Sequence, residues 1–190
     1  AIDRDMPIYV MSHDPAQPRL CYHVGSVHVF DPFAFWPLMR KAKLFVSGGG
    51  SLIQNETSTR SLNYYLTTIR MAHAAGGRVM MYGCGIGPIQ KDGNRRRAAK
   101  VMNKYVDSIT LRDPDSRKEL EVLGVTKPAI ALSADTTVSL PAASPEVIDG
   151  ILNSRGIPAD GKYVGFILRP WPGFEARVKD VAAAADYVYE

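Results

Sequence analysis

The sequence has 190 residues, a formal net charge of +4 and a pI of about 9.1. Its 46% hydrophobic and 22% charged residues are typical of a globular protein, and the sequence contains no low-complexity tract and no internal repeat. No apolar stretch reaches the roughly 18–20 residues that a membrane-spanning helix needs, and the length suffices for one core and part of a second.

The first residues, the cysteines and the charge of the sequence bear on the protein's location and its partners. Residues 1–7 lack the apolar run of a signal peptide, so we expect a cytoplasmic protein. Cys21 and Cys84 lie far apart and predict free thiols. The densest basic cluster is Arg95-Arg96-Arg97 with Lys100. It is typical of a solvated helix face, and it also suits an anionic substrate or a membrane leaflet. Without a nucleic-acid-binding motif, nucleic acid is not expected as a partner.

Short apolar runs alternate with amphipathic segments along the whole chain. The predicted strands are Pro7–Ser12, Ser26–Phe30, Lys43–Ser47, Arg78–Tyr82, Ser108–Leu111, Ala129–Leu132 and Tyr163–Leu168. The predicted helices are Pro32–Lys43, Ser58–Ala75, Asn94–Val106, one that Asp113 caps, one that begins at Ser144-Pro145, and Phe174–Glu190. This alternation predicts an α/β fold with a doubly wound, Rossmann-like parallel sheet.

The central sheet and the domain boundary follow from the same pattern. We expect about five parallel strands in the central sheet, namely Pro7–Ser12, Lys43–Ser47, Arg78–Tyr82, Ser108–Leu111 and Ala129–Leu132. Residues 136–144 form the best linker candidate. We therefore predict a first domain over residues 1–142 and the start of a second, incomplete α/β domain over residues 143–190, in which Tyr163–Leu168 is a buried strand.

Glycine-rich or charged segments follow three predicted strands. These are Gly48-Gly49-Gly50-Ser51, Gly85-Ile86-Gly87-Pro88 and Arg112-Asp113. In open parallel sheets, ligands bind at the carboxyl ends of the strands, and glycines let backbone N–H groups approach an anion. A tight turn without a ligand is the alternative for both glycine segments. Their spacing matches neither the P-loop nor the GxGxxG fingerprint.

Arg112 and Asp135 are the charged candidates at the same sheet edge. The Arg112 guanidinium can bind a carboxylate or phosphate with two parallel hydrogen bonds. The alternative is a local salt bridge to Asp113 or Asp115. Asp135 is a candidate site acid or a capping residue. The four histidines show no metal-ligand spacing and no cysteine pair indicates zinc, so no metal is expected.

Several of these segments together resemble a known family. The run Phe45–Ser58 (FVSGGGSLIQNETS) resembles the core signature of the polysaccharide pyruvyl transferases, and Arg60–Tyr65 (RSLNYY) is similar to their following helix. The family's order and approximate spacing continue in Gly85–Pro88 (GIGP), Thr110–Asp113 (TLRD), Ser133–Asp135 (SAD) and Leu168–Trp171 (LRPW).

The resemblance implies an activity and a set of partners. It implies transfer of a pyruvyl group from phosphoenolpyruvate to a sugar or lipid-linked saccharide of a cell-surface polysaccharide, as a ketal, without a metal or organic cofactor. It implies the first half of a two-domain, glycosyltransferase-B-like architecture. Arg112 and Arg169 would then bind the anionic donor, and Gly48, Gly49, Gly50 and Ser51 would lie near the donor or acceptor. Asp135 would be a site acid.

The sequence also departs from the family pattern. It begins after the family's first strand and Gly-Asn-x-Gly-Asp type loop, and it stops within the second domain, where a catalytic His is expected. Asn55 stands where Asp is common, and Cys84 where Gln is common. Two alternatives therefore stay open: a sugar-nucleotide glycosyltransferase of similar fold, and a non-catalytic fragment or binding module.

Overall fold

A computed structural model describes residues 6–56, 58–158, 160–169 and 173–189. The chain divides into two compact units, Ala1–Leu140 and Pro141–Glu190. The predicted domain boundary lies two residues beyond this division. That the second unit is the start of a second, incomplete α/β domain stays a prediction.

The first unit alternates strands and helices. Its strands are β1 (Tyr9–Ser12), β2 (Gly25–His28), β3 (Leu44–Ser47), β4 (Gly50–Ile53), β5 (Arg78–Ile86), β6 (Ser108–Leu111) and β7 (Ala129–Leu132). Its α-helices are α1 (Ala16–Tyr22), α2 (Pro32–Lys41), α3 (Thr59–Ala74), α4 (Asp92–Tyr105) and α5 (Pro114–Leu123), and a 3₁₀ turn covers Thr136–Ser139.

A parallel sheet of five strands forms the centre of this unit. Its order is β3-β5-β6-β7, and β4 also pairs with β5. Helices flank it, so the predicted Rossmann-like α/β fold is confirmed. The connections from β4 to β5, β5 to β6 and β6 to β7 each lead to the adjacent strand, in the same direction across the sheet. Since such crossovers are right-handed, α3, α4 and α5 lie on one face of the sheet.

The hydrophobic core lies between the sheet and these helices. Val79, Met81, Ile109 and Leu111 point to it from β5 and β6, each at most 1% exposed. The helices contribute a buried stripe at helical spacing, which includes Leu62, Leu66 and Ile69 of α3, Ala98, Val101 and Met102 of α4, and Leu120 of α5.

The helix starts follow from local capping chemistry. The Ser58 hydroxyl accepts hydrogen bonds from the backbone N–H groups of Arg60 and Ser61 at the start of α3. The Asp113 carboxylate accepts one from Ser116 N at the start of α5, where Pro114 is the first helical residue. These side chains satisfy N–H groups that a helix leaves without intrahelical partners. The predicted cap at Asp113 is confirmed.

The expectation that Pro7–Ser12 belongs to the central sheet is wrong. β1 instead pairs in parallel with β2 in a separate two-stranded sheet, from Tyr9 opposite Gly25 to Ser12 opposite His28. The Ser26 hydroxyl reinforces this pairing by donating to Val10 O at 2.9 Å. Alternating apolar residues predict a strand, but they do not specify its partner.

The glycine-rich segments also differ from expectation. Gly48–Ser51 is not one turn, because Gly50 and Ser51 begin β4. β5 does not stop at Tyr82 but continues through Gly83 and Gly85 to Ile86. The cause is the pairing with β5. Gly50 lies opposite Cys84 in the same register in which β3 pairs with β5. β3 and β4 therefore form one edge strand with a break at residues 48–49.

The second unit contains α6 (Pro145–Ser154), a 3₁₀ turn over Phe174–Arg177 and α7 (Val178–Tyr189). The predicted buried strand Tyr163–Leu168 is wrong. These residues form no strand, and Ile167 is 100% exposed. An apolar segment becomes a strand only where another strand supplies hydrogen bonds, and the described part of this unit contains no strand. Pro170, Trp171 and Glu190, which the sequence analysis placed in a motif and a helix, lie outside the described residues.

We predict that Ile109→Ala lowers the free energy of unfolding by about 2–5 kcal/mol, because the truncation leaves a cavity in the centre of the sheet. Urea denaturation followed by circular dichroism measures this. Val122→Ala is the matched control: Val122 lies on α5 and is 74% exposed, so its truncation should change the stability by less than about 0.5 kcal/mol. Equal effects of the two substitutions would contradict this description of the core.

Candidate functional site

Three of the residues singled out in the sequence meet at the carboxyl edge of the sheet. Arg112 Nη2 donates to Ser51 Oγ at 2.9 Å, and Arg112 Nη1 donates to Asp135 Oδ2 at 3.2 Å. Arg112 Nε also lies 3.6 Å from Asp113 Oδ2. The Arg112 guanidinium therefore contacts Ser51 of β4, Asp113 after β6 and Asp135 after β7.

The local fold explains why these side chains meet. Arg112 directly follows β6, Asp135 follows β7 by three residues, and Ser51 is the second residue of β4. All these strands are parallel, so their carboxyl ends lie at one edge. The Arg112 backbone N–H donates to Cys84 O, which fixes the start of its side chain beside β5.

Gly85 leaves the space in which Ser51 and Arg112 make contact. A Cβ atom at Gly85 would lie 2.6 Å from Ser51 Oγ, 3.1 Å from Arg112 Nε and 3.2 Å from Arg112 Nη2. Real Cβ atoms do not approach other atoms as closely as 2.6 Å. Gly85 is therefore a steric requirement of this cluster.

The glycines of the first segment have different environments. Gly50 has a φ of +87°, a conformation that favours glycine. A Cβ at Gly48 would meet no atom within 4 Å, and one at Gly49 would lie 3.5 Å from Thr136 Oγ1. Gly49 and Ser51 thus lie beside the segment that contains Asp135 and Thr136. The role of residues 48–51 in binding stays a prediction.

Ser116 is a residue at this edge that the sequence analysis did not single out. It is 3% exposed, and its hydroxyl accepts a hydrogen bond from Ile86 N at 2.8 Å while its own N–H donates to Asp113 Oδ1. It thereby ties the end of β5 to the start of α5. Its only sequence signal is its place three residues after the Asp113 cap, where a polar residue is typical of a helix start.

Asn55 has a defined structural role. Its Oδ1 accepts a hydrogen bond from Gln90 N at 2.8 Å, and its backbone N–H donates to Pro88 O at 3.2 Å. These two bonds hold the segment after β4 against the segment after β5. The Asn55 side-chain oxygen satisfies a backbone donor there as an Asp carboxylate oxygen also could, without adding a negative charge.

The carboxyl groups of the cluster are ionised at neutral pH. Hydrogen bonds from Thr137 lower the pKa of Asp135 below its usual value, and Arg112 adds to this effect. For Asp113, burial raises the pKa, but hydrogen bonds from Ser116 and the charge of Arg112 outweigh it, so that its pKa is also lowered. Burial raises the pKa of the Cys84 thiol to about 11, which makes Cys84 a poor nucleophile.

An open cavity of about 350 Å³ lies beside the cluster. Its lining includes Ser51, Gly85, Ser116 and the side chains of Asp113, Asp115 and Glu119. Carboxylates accept hydrogen bonds from hydroxyl groups and repel anions. Each of these carboxylates is also paired with a cation, Asp113 with Arg112, Asp115 with Lys118 and Glu119 with Arg95. The lining is therefore polar and can form hydrogen bonds with hydroxyl groups. Another cavity of about 390 Å³ lies between α4 and α5, and none of the predicted site residues lines it.

The remaining candidates are Arg169 and the histidines. Arg169 belongs to the second unit, where it is exposed, and its role in donor binding stays a prediction. His13, His28 and Phe30 form an aromatic cluster near β2. In the described part of the chain, no three His, Cys, Asp or Glu side chains are grouped as metal ligands.

The family assignment follows from a comparison of the whole sequence. A family model described as polysaccharide pyruvyl transferase matches residues 2–190. The chain belongs to this family. Searches of curated proteins and of solved structures gave no match. The family indicates a transferase that acts on a polysaccharide or its sugars, and the resemblance of the glycine-rich and arginine motifs is thereby confirmed. Among the described residues of this pyruvyl transferase family member, no helix is long and apolar enough to cross a membrane.

We predict that Gly85→Ala destabilises the protein by about 1–3 kcal/mol, because the new methyl group displaces Ser51 or Arg112. Chemical denaturation measures the change. Gly93→Ala is the control, since a Cβ at this position in α4 meets no atom within 4 Å and alanine favours the helix by about 0.5–1 kcal/mol. If Gly85→Ala were as stable as Gly93→Ala, Gly85 would not be required by the cluster.

A second prediction from this cluster concerns how the free energy of unfolding depends on pH. The folded pKa values of Asp113 and Asp135 lie below their unfolded values. Their contribution to stability is therefore present above the unfolded pKa of about 4 and is lost as the pH falls through the folded pKa. Asp135→Asn should flatten the dependence of unfolding free energy on pH in this acidic range. Ser51→Ala, which removes a partner of Arg112 that does not ionise, should preserve it. Denaturation curves across this range test both, and an unchanged slope in Asp135→Asn would contradict the assignment.

Proposed function

We propose that this family member transfers a pyruvyl group from phosphoenolpyruvate to two hydroxyl groups of a saccharide, as a ketal. The observation that carries the proposal is the meeting of Ser51, Arg112 and Asp135 at the carboxyl edge of the sheet, in a chain of this family. Residues 143–190 would belong to a second domain, and Arg169 would act from there on the donor.

The reaction defines the groups that the site must supply. The methylene carbon of phosphoenolpyruvate takes up a proton and becomes a methyl group, which leaves an oxocarbenium-like centre at C2. The two sugar oxygens bond to C2, and the bond between C2 and the phosphate oxygen breaks. One sugar hydroxyl proton balances the proton added to the methylene carbon, and the other leaves with inorganic phosphate. The donor's carboxylate and phosphate require fixed cationic donors.

Arg112 is suited to bind the donor. Its side chain is 32% exposed, and among the described residues it donates side-chain hydrogen bonds to Asp135 and Ser51, which use two of its five N–H donors. Its ion pairs to Asp113 and Asp135 involve side chains that are each 39% exposed. Exposed ion pairs of this kind are weak, at about 0–1 kcal/mol, so an anionic ligand can replace one of them.

Asp135 fits a supporting role on the donor side, and the cavity beside Ser51 fits the acceptor. Since its pKa is lowered, Asp135 is ionised and is a poor proton donor. We propose that it orients Arg112 and that a general acid lies elsewhere in the enzyme. The carboxylates of Asp113, Asp115 and Glu119 line the cavity beside Ser51. Their oxygen atoms can accept hydrogen bonds from acceptor hydroxyls.

We predict that Arg112→Ala lowers kcat/KM for phosphoenolpyruvate about tenfold or more, since a charge-assisted hydrogen bond is worth about 1.5–3 kcal/mol. Arg112→Lys should restore only part of this, because lysine lacks the planar fork. Phosphate release by the gene product that contains this sequence, with a panel of saccharide acceptors, measures the rate. The control is Arg117→Ala on α5, where Arg117 is 53% exposed and pairs with Glu121; its kinetics should match the wild type, and equal kinetics in Arg112→Ala would remove Arg112 from the site.

A binding experiment separates the alternatives. Phosphoenolpyruvate should raise the melting temperature of the wild type and not that of Arg112→Ala. Stabilisation by a uridine diphosphate sugar instead would favour a glycosyltransferase. Stabilisation by neither donor, without phosphate release, would favour a non-catalytic module.

A further inference from the structure

The two neighbouring helices α3 and α4 concentrate positive charge. Together they contain seven Arg and Lys residues and a single acidic residue, Asp92. Their net charge of +6 exceeds the +4 of the whole chain, so the remainder of the molecule is net negative. The basic character of the protein therefore comes from one pair of helices.

The exposed side of α4 is predominantly cationic. Arg96, Arg97, Lys100 and Lys104 are exposed, and at 100° per residue they fall within one arc of about 100°. Asn94, Ala98, Val101 and Met102 occupy the buried side. Arg95 projects from the flank of the helix, where it pairs with Glu119 at 2.7 Å.

Helix α3 extends this surface. It runs beside α4 in the same direction: Thr59 contacts Asn94, Asn63 contacts Arg97, and the rings of His73 and Tyr105 lie 5.1 Å apart. Arg60 and Arg70 of α3 are exposed, and α3 contains no acidic residue. The exposed cations of the two helices, Arg60, Arg70, Arg96, Arg97, Lys100 and Lys104, are called the basic face below.

We propose that the basic face binds the surface of an anionic lipid bilayer. The two parallel helices, about 21–24 Å long and about 8–10 Å apart, form a broad surface that matches a flat bilayer. Flexible Arg and Lys stems place their charges at the headgroups while the helices stay outside the hydrocarbon. A nucleic acid or a polyanionic chain would be bound more tightly by a groove with stacking aromatic residues, and the exposed arc of α4 contains none.

The neighbouring helix α5 provides a matched comparison. Its exposed Arg117 and Lys118 each pair with an acidic side chain of the same helix, Glu121 and Asp115 respectively. The proposal thus predicts that a cation on α4 contributes to membrane binding and that an equal cation on α5 does not. It depends on the charge distribution alone and is independent of the proposed catalytic activity.

The test is sedimentation with phosphatidylcholine vesicles that contain about 30% phosphatidylglycerol, at low and high salt. The wild-type chain should bind these vesicles and not pure phosphatidylcholine, and added salt should weaken binding. Arg96→Gln/Lys100→Gln should weaken it about tenfold or more. Arg117→Gln/Lys118→Gln, with the same change of net charge, should stay within about twofold of the wild type.

Three outcomes would overturn the proposal. They are equal losses in both double variants, salt-insensitive binding, and binding of duplex DNA or heparin without binding of the anionic vesicles. Circular dichroism spectra and melting curves establish that both double variants are folded. All four replaced side chains are exposed, so both should fold as the wild type does.

Discussion

β5 supplies the hydrogen bonds that place three other strands of the large sheet, with β3 and β4 along one side and β6 along the other. The nine-residue strand extends beyond the end of β3 and continues beside β4. Its last part, Gly83-Cys84-Gly85-Ile86, has small or buried side chains, so Ser51 and Arg112 meet over Gly85. The site thus depends on a strand that pairs on both sides while leaving space above its end.

The electrostatics of the cluster decide how it can bind an anion. One guanidinium faces two carboxylates and a neutral hydroxyl, so the cluster carries no excess positive charge. An incoming carboxylate or phosphate can bind Arg112 only by replacing a protein carboxylate or by accepting hydrogen bonds from the remaining N–H donors of Arg112. Because the pairs are about one-third exposed, water screens them and the exchange costs little. A fully buried triad would resist such exchange.

Local chemistry accounts for what the sequence predicted correctly. The starts of α3 and α5 were predictable because Ser58 and Asp113 cap backbone groups a few residues away. Ser51, Arg112 and Asp135 were predictable as neighbours because each follows the end of a parallel strand, namely β3, β6 and β7 respectively. The strand predictions that were wrong concern segments whose structure depends on a partner strand distant in the sequence. β4 exists because β5 continues beside it, and β1 pairs with β2. Tyr163–Leu168 has a strand-like pattern, but the described residues of its unit contain no strand. Ser116 resembles an ordinary helix-start residue, and only the position of Ile86 N gives it a further role.

The basic face and the candidate site share one geometric relation. Helices α3 and α4 run opposite to the strands, so their first turns lie near the carboxyl edge of the sheet, where Ser51, Arg112 and Asp135 meet. Arg60 lies in the first turn of α3, and Arg96 and Arg97 lie in the second turn of α4. A bilayer surface bound by these cations would therefore lie next to the carboxyl edge of the sheet, where the candidate site is. The open cavity lined by carboxylates lies at that same edge, so an acceptor saccharide that extends from such a surface would have a short path to it.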